Sequence, residues 1–244
     1  MPTRHPRNIR KNTRSDSSPL FEGILKRLLK ESQLQKASGL ALNVYAPFNN
    51  RISAVIYDPA ALAEVLDTIT NPKVDSLTYK NILVDKVIKG VIRLAASSQP
   101  CNDAWEVTTS AGPGYGKLIY GVGFALAPNG RLMPDRMSVS SSASAGWARQ
   151  FNSPRKKFKL DNYEDPQTIP PEDDCPVHNE TDDDDSLAHL DYAYEAEGWE
   201  LSLLNQLQSS HDTFTSNLTS DQLKLINSRL PEAITPFFNK YYNS

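Results

Sequence analysis

The chain has 244 residues, 39% hydrophobic and 23% charged, with a formal net charge of −3 and a mean hydropathy of −0.48. That is enough for one sizeable domain with extensions, or two small ones, and no apolar run approaches the roughly 18 residues of a membrane span. Cys101 and Cys175 form no spaced motif, so a disulfide framework is not expected and a reducing compartment is the default.

Residues 1–18 are basic and polar, without apolar periodicity, and are expected to be a disordered tail and not a secretory leader. Nine basic residues face three acidic ones from Met1 to Lys36, whereas Asp161 to Glu197 holds fourteen acidic residues and no Lys or Arg. One end can touch a polyanion and the middle repels one; a solvated tail and a solvated loop are the plainer reading of both. A pI of about 5.8 and the lack of a known module argue against nucleic-acid binding.

Ser18-Pro19 marks a helix start, and the amphipathic run that follows ends near Ser38-Gly39 with a Lys/Arg-rich outer face. "LALNVYA" and "ISAVIYD" read as a hairpin turned by "PFNNR", and "PAALAEVLDTIT" as a helix opened by Pro59. "NILVDKVIKGVIRLAAS" fits either a helix or a strand pair, and its β-branched density favours two strands broken at residues 86–90. "AWEVTTSA" alternates as a strand. "KLIYGVGFALA" is a helix that tolerates Gly121 and Gly123 only if packed closely, since each costs about 1 kcal/mol against Ala. "GRLMPDR" is a short strand and "SSSASAGWARQF" a serine-capped helix. Residues 161–186 form an acidic, Pro-rich loop. Residues 187–218 and 220–243 read as helical, the second stretch broken by Pro231 and Pro236.

The stretch with chemical content is "SAGPGYGKLIYGVGFALA", residues 110–127. A Walker A loop fails at both ends, with Ala111 in place of the first glycine and Leu118 after Lys117. A G-x-G-x-x-G fingerprint fails on spacing. What remains is a strand–turn–helix whose glycines admit a close-lying phosphate and whose helix N-terminus offers amides and partial positive charge.

In element order and in this loop the chain resembles the GNAT acetyltransferases, whose pyrophosphate loop reads [Q/R]-x-x-G-x-[G/A]. The window is Ala111-Gly112-Pro113-Gly114-Tyr115-Gly116: both glycines match, Ala111 replaces the Gln or Arg, and Pro113 lacks an amide donor. Over roughly residues 80–176 the chain also resembles acetyltransferase-like proteins encoded by tailed bacteriophages. Gly114-Tyr115-Gly116, Leu132-Met133-Pro134-Asp135-Arg136, Trp147 and Asp173-Asp174-Cys175 carry that resemblance. It implies an α/β (α+β) GNAT-like fold over residues 19–160, a central mixed sheet flanked by helices, with a C-terminal helical extension at 187–244.

The resemblance implies an acetyl-CoA site on Gly112, Gly114, Tyr115, Gly116 and Lys117, and an N-acetyltransferase in which Glu106 or a water deprotonates the amine. Trp147 stands near the place where the family often has a tyrosine acid, and an indole cannot act as one. A different class stays open beside it: a non-catalytic protein on the same scaffold, binding a protein partner in a phage virion or the host-cell cytoplasm. No metal is expected, because Cys175 and His178 lack a second ligand pair and Asp182 to Asp185 lack EF-hand spacing.

Overall fold

The computed structural model describes residues 19–48, 50–96, 103–135, 139–160 and 185–242; the basic tail, most of the acidic loop, Cys175 and His178 lie outside them. Helix α1 (Pro19–Lys36) leads into the hairpin β1 (Ala41–Phe48) and β2 (Arg51–Tyr57), then α2 (Pro59–Thr70) and α3 (Ser76–Ile82). Asp58 and Asp75 cap α2 and α3, each accepting two backbone N–H bonds. Leu83–Val87 continues α3 as a π-helical turn before β3 (Ile88–Ala96). The strand expected in its place does not form, because Leu83 and Val87 are buried together against Leu62 and Ile69 of α2. Packing overrides β-propensity there.

Strand β4 (Trp105–Ala111), helix α4 (Gly116–Leu126) and strand β5 (Arg131–Pro134) make a crossover, followed by α5 (Ser141–Phe151) and β6 (Lys157–Lys159). After a 3-10 turn at Asp185–Asp191 come β7 (Tyr192–Glu195), α6 (Trp199–Thr215), α7 (Ser220–Glu232) and α8 (Ile234–Tyr242). The helix expected over residues 187–218 is thus corrected to a turn, a strand and then α6. Tyr192 to Tyr194 pair with β6 while Tyr194 and Glu195 pair with β5. The break near the prolines falls at Ala233, between α7 and α8.

The seven strands run in the order β1-β2-β3-β4-β5-β7-β6, antiparallel except for β4 and β5. Alternation along β2 and β3 divides the core. Ala54, Ile56, Ile92 and Leu94 pack with α4, α5 and α6; Val55, Tyr57 and Val91 pack with α2, α3, α7 and α8. Residues 187–242 therefore contribute a strand and cover both faces of the sheet.

Helix α4 lies close against its neighbours. A Cβ on Gly121 would come within 2.8 Å of the Trp199 ring, and one on Gly123 within 2.7 Å of Ile92 Cδ1. Among the described residues no helix is long and apolar enough to cross a membrane.

Candidate functional site

Two local features open the sheet beside α4. The β3–β4 pairing steps from Arg93–Thr109 to Leu94–Val107, so Thr108 is an extra, bulged residue. On its other side β4 pairs with β5 only through Trp105, Glu106 and Val107. From Thr108 to Ala111 the β5 side of β4 is therefore unpaired by any described strand, and the two parallel strands part.

Beyond Ala111 the chain turns, with the Tyr115 amide donating to the Gly112 carbonyl over 2.9 Å. The three glycines have three different physical reasons. A Cβ on Gly112 would lie 2.1 Å from Ile119 Cδ1 and 3.0 Å from the Lys89 carbonyl oxygen, so this glycine lets the turn pack on β3. Gly114 has φ +76°, a conformation that strains other residues. Gly116 has neither a close neighbour nor a positive φ; a Cβ there would enter open space. Tyr115, the N-cap of α4, makes no side-chain capping bond, so the first-turn amides are left to solvent or a ligand.

That turn forms one wall of a cleft of about 700 Å³, closed by Ser140, Ala143, Gly146 and Arg149 of α5 and by Gln33 and Lys36 of α1. Lys36, Lys117 and Arg149 all line it, and none of its described lining residues is acidic. Lys36 Nζ donates to the Gly114 carbonyl and lies 4.9 Å from the Tyr115 ring centroid, tying the end of α1 to the loop. A neighbouring cavity of about 700 Å³ shares Lys117, Tyr120 and Arg149 and adds Arg27, Lys30 and Lys156. Cations thus border the α4 N-terminus on several sides, an arrangement that attracts a polyanion.

A slot of about 280 Å³ continues between the parting strands, lined by Val107 to Ser110, Asp135, Trp147 and Phe238. Tyr120 borders the slot and both larger cavities. Its hydroxyl accepts from Ser110 Oγ over 3.4 Å. Burial raises its pKa, with Ser110 and Arg149 pulling the other way, so the phenol keeps its proton at neutral pH. Behind it the Trp147 ring, 1% exposed, meets Tyr120 edge-on at 5.0 Å and stacks on Tyr194 at 5.4 Å.

Of the residues expected at a site, Gly112, Gly114, Gly116 and Lys117 come together on the cleft, and Tyr115 caps α4 under Lys36. Glu106 lies elsewhere: it pairs with Met133, alternates with the core residue Val107, and lines neither the cleft nor the slot. The carboxylate on the slot is Asp135. Lys36, Tyr120, Asp135 and Arg149 were not on the expected site. The small residues Ala143 and Gly146 of α5, one helical turn apart and followed by Arg149, are the local signal that could have marked this wall. Lys36 is 78 residues from its partner Gly114 and has no local signal.

No family model matches the chain, and no curated protein or solved structure matches it.

Proposed function

We propose that the chain is a GNAT-like acyltransferase that binds acyl-CoA along the α4 turn and transfers the acyl group to an amine. The observation that carries this reading is the glycine turn at a point where parallel strands part, facing three convergent cations. Gly116 supports it most directly, since neither its backbone nor its packing calls for glycine and a closely approaching ligand would. The residues present fit the group: the amides of Gly114, Gly116 and Lys117 meet the pyrophosphate, with Lys36, Lys117 and Arg149 neutralising it.

Bound acyl-CoA supplies an activated thioester carbonyl, and transfer forms a C–N bond, breaks the C–S bond and moves one proton from amine to thiolate. Within the slot, the protonated Tyr120 hydroxyl is the proton donor and the Asp135 carboxylate the acceptor. The Trp147–Tyr194 stack holds the Tyr120 ring in place and keeps water from its inner face.

The test is calorimetric titration of the purified protein with acetyl-CoA, repeated on Gly116→Val and Arg149→Met. Micromolar binding, weakened at least tenfold in both variants while each still melts cooperatively, is the expected result. No heat at millimolar acetyl-CoA would remove the transferase and leave a scaffold that works by binding other partners.

A further inference from the structure

The other face of the sheet carries a second groove, of about 470 Å³, that touches the slot. Its floor is a row of directly paired residues on four strands: Tyr45 opposite Ser53, Ser53 opposite Arg93, and Arg93 opposite Thr109. Arg51, two residues before Ser53, lies on the same face as this row and diagonal to Arg93, roughly 7–8 Å away at the backbone. Pro231 and Ile234, at the α7–α8 junction, form the roof. Thr108 and Thr109 line both this groove and the slot, so the two cavities meet at the β4 bulge.

Two cations line this groove, and Glu106, the partner of Ala95, lies diagonal to Arg93 on the same face. Among the described residues neither Arg51 nor Arg93 forms an ion pair, and none of the described lining residues is acidic. The Arg93 guanidinium donates to Thr235 Oγ1 over 3.0 Å. Burial, and then the neighbouring Arg51, hold the Arg93 pKa below its ordinary value. Arg51 is exposed and Arg93 partly buried; a bound anion would relieve the repulsion between them. The Tyr45 ring, 46% exposed, offers an apolar surface beside them.

We propose that this groove is the acceptor site: Arg51 and Arg93 hold a carboxylate or phosphate of the acceptor, with its amine directed to the slot at Thr108 and Thr109. The assignment rests on the acyl-transfer reading for its role, but its ligand chemistry can be measured separately. A fork-shaped guanidinium pair matches either anion, and an amine of similar length without an anionic group lacks what they would hold.

The experiment titrates the full chain with phosphoethanolamine, β-alanine and, as the control without an anionic group, ethanolamine, with acetyl-CoA titrated in parallel. At least one anionic amine is expected to bind tenfold or more tightly than ethanolamine, and the two anionic arms tell phosphate from carboxylate. Arg51→Gln and Arg93→Gln should each weaken that binding at least tenfold and leave acetyl-CoA affinity within twofold. Arg51→Gln should not lower the melting temperature, since it relieves a repulsion, and Arg93→Lys should recover part of the affinity. Equal binding of all three amines, no binding of any, or full binding in both Gln variants would overturn the acceptor site. Arg-dependent anion binding without acetyl-CoA binding would keep the anion site and remove the transferase.

Discussion

The Tyr120 ring stands edge-on to the Trp147 indole, 5.0 Å between centroids and 72° between planes, with its hydroxyl left to Ser110 and the cleft. One tyrosine therefore does two separable things. Its ring closes the core behind the slot, and in the proposed transfer its hydroxyl supplies the proton.

Tyr120→Phe keeps the ring contact and removes the hydroxyl. We expect a melting temperature within a few degrees of wild type, acetyl-CoA affinity within about threefold, and acyl transfer slowed by about 10²–10⁴. Thiol release under saturating acetyl-CoA measures the last. A variant as fast as wild type would leave the phenol without a chemical role.

The three loop glycines should separate stability from binding. Gly112→Ala forces a Cβ into Ile119 and the Lys89 carbonyl and should cost about 1–3 kcal/mol in urea unfolding. Gly116→Ala meets open space, so its stability should change by less than about 1 kcal/mol, in the stabilising direction, while acetyl-CoA binding weakens. If Gly116→Ala bound as wild type, that glycine would owe nothing to a ligand.

Arg155 joins α5, β7 and α6 from a buried position. It donates to Glu200 Oε1 at 2.7 Å, to the Glu195 carbonyl at 2.7 Å and to Gln150 at 3.1 Å, while Glu200, 1% exposed, also accepts from the Glu197 amide. Removing one partner strands the other charge, so Arg155→Met or Glu200→Leu should each cost about 3–5 kcal/mol. The double variant should recover much of that loss. Additive losses in a double-mutant cycle would show that the pair is not coupled.

Acid and alkaline stability should both depend in part on one contact, Tyr57 Oη to His211 Nδ1 at 2.9 Å. Burial lowers the His211 pKa, against the opposing pull of Asp212. The unfolded chain therefore binds the proton first. The stability this neutral imidazole provides is complete above about pH 6.5 and is lost as pH falls through the lower folded value. Burial, and then Asp212, raise the Tyr57 pKa, and its share is complete below about pH 10 and lost as pH rises toward the higher folded value. Urea midpoints from pH 5 to 11 should fall at both ends. His211→Gln should flatten only the acid limb and Tyr57→Phe should make the alkaline limb shallower.

Much of the site's frame was legible in the chain as written. The alternation of "AWEVTTSA", the glycines after it, the small-residue run of α4 and the serine cap of α5 are signals of local period, and each marks an element that formed. Where burial depended on distant partners, local pattern misled. Leu83 to Val87, with Val84 and Val87 β-branched, winds as a π-turn, because α2 offers a surface at helical spacing. Tyr192 to Glu195 reads as helix and pairs as a strand, because an open place between β5 and β6 was there to be filled.

The sequence alone determined that a strand would end in a glycine turn and that a closely packed helix would begin there, since capping, φ constraints and periodicity act over a few residues. Only the tertiary structure decided what that turn faces. Lys36, Tyr120 and Arg149 meet around it, Asp135 lines the adjoining slot, and Arg51 and Arg93 lie across paired strands, because sheet register and helix packing bring together charges that neither spacing nor composition relates.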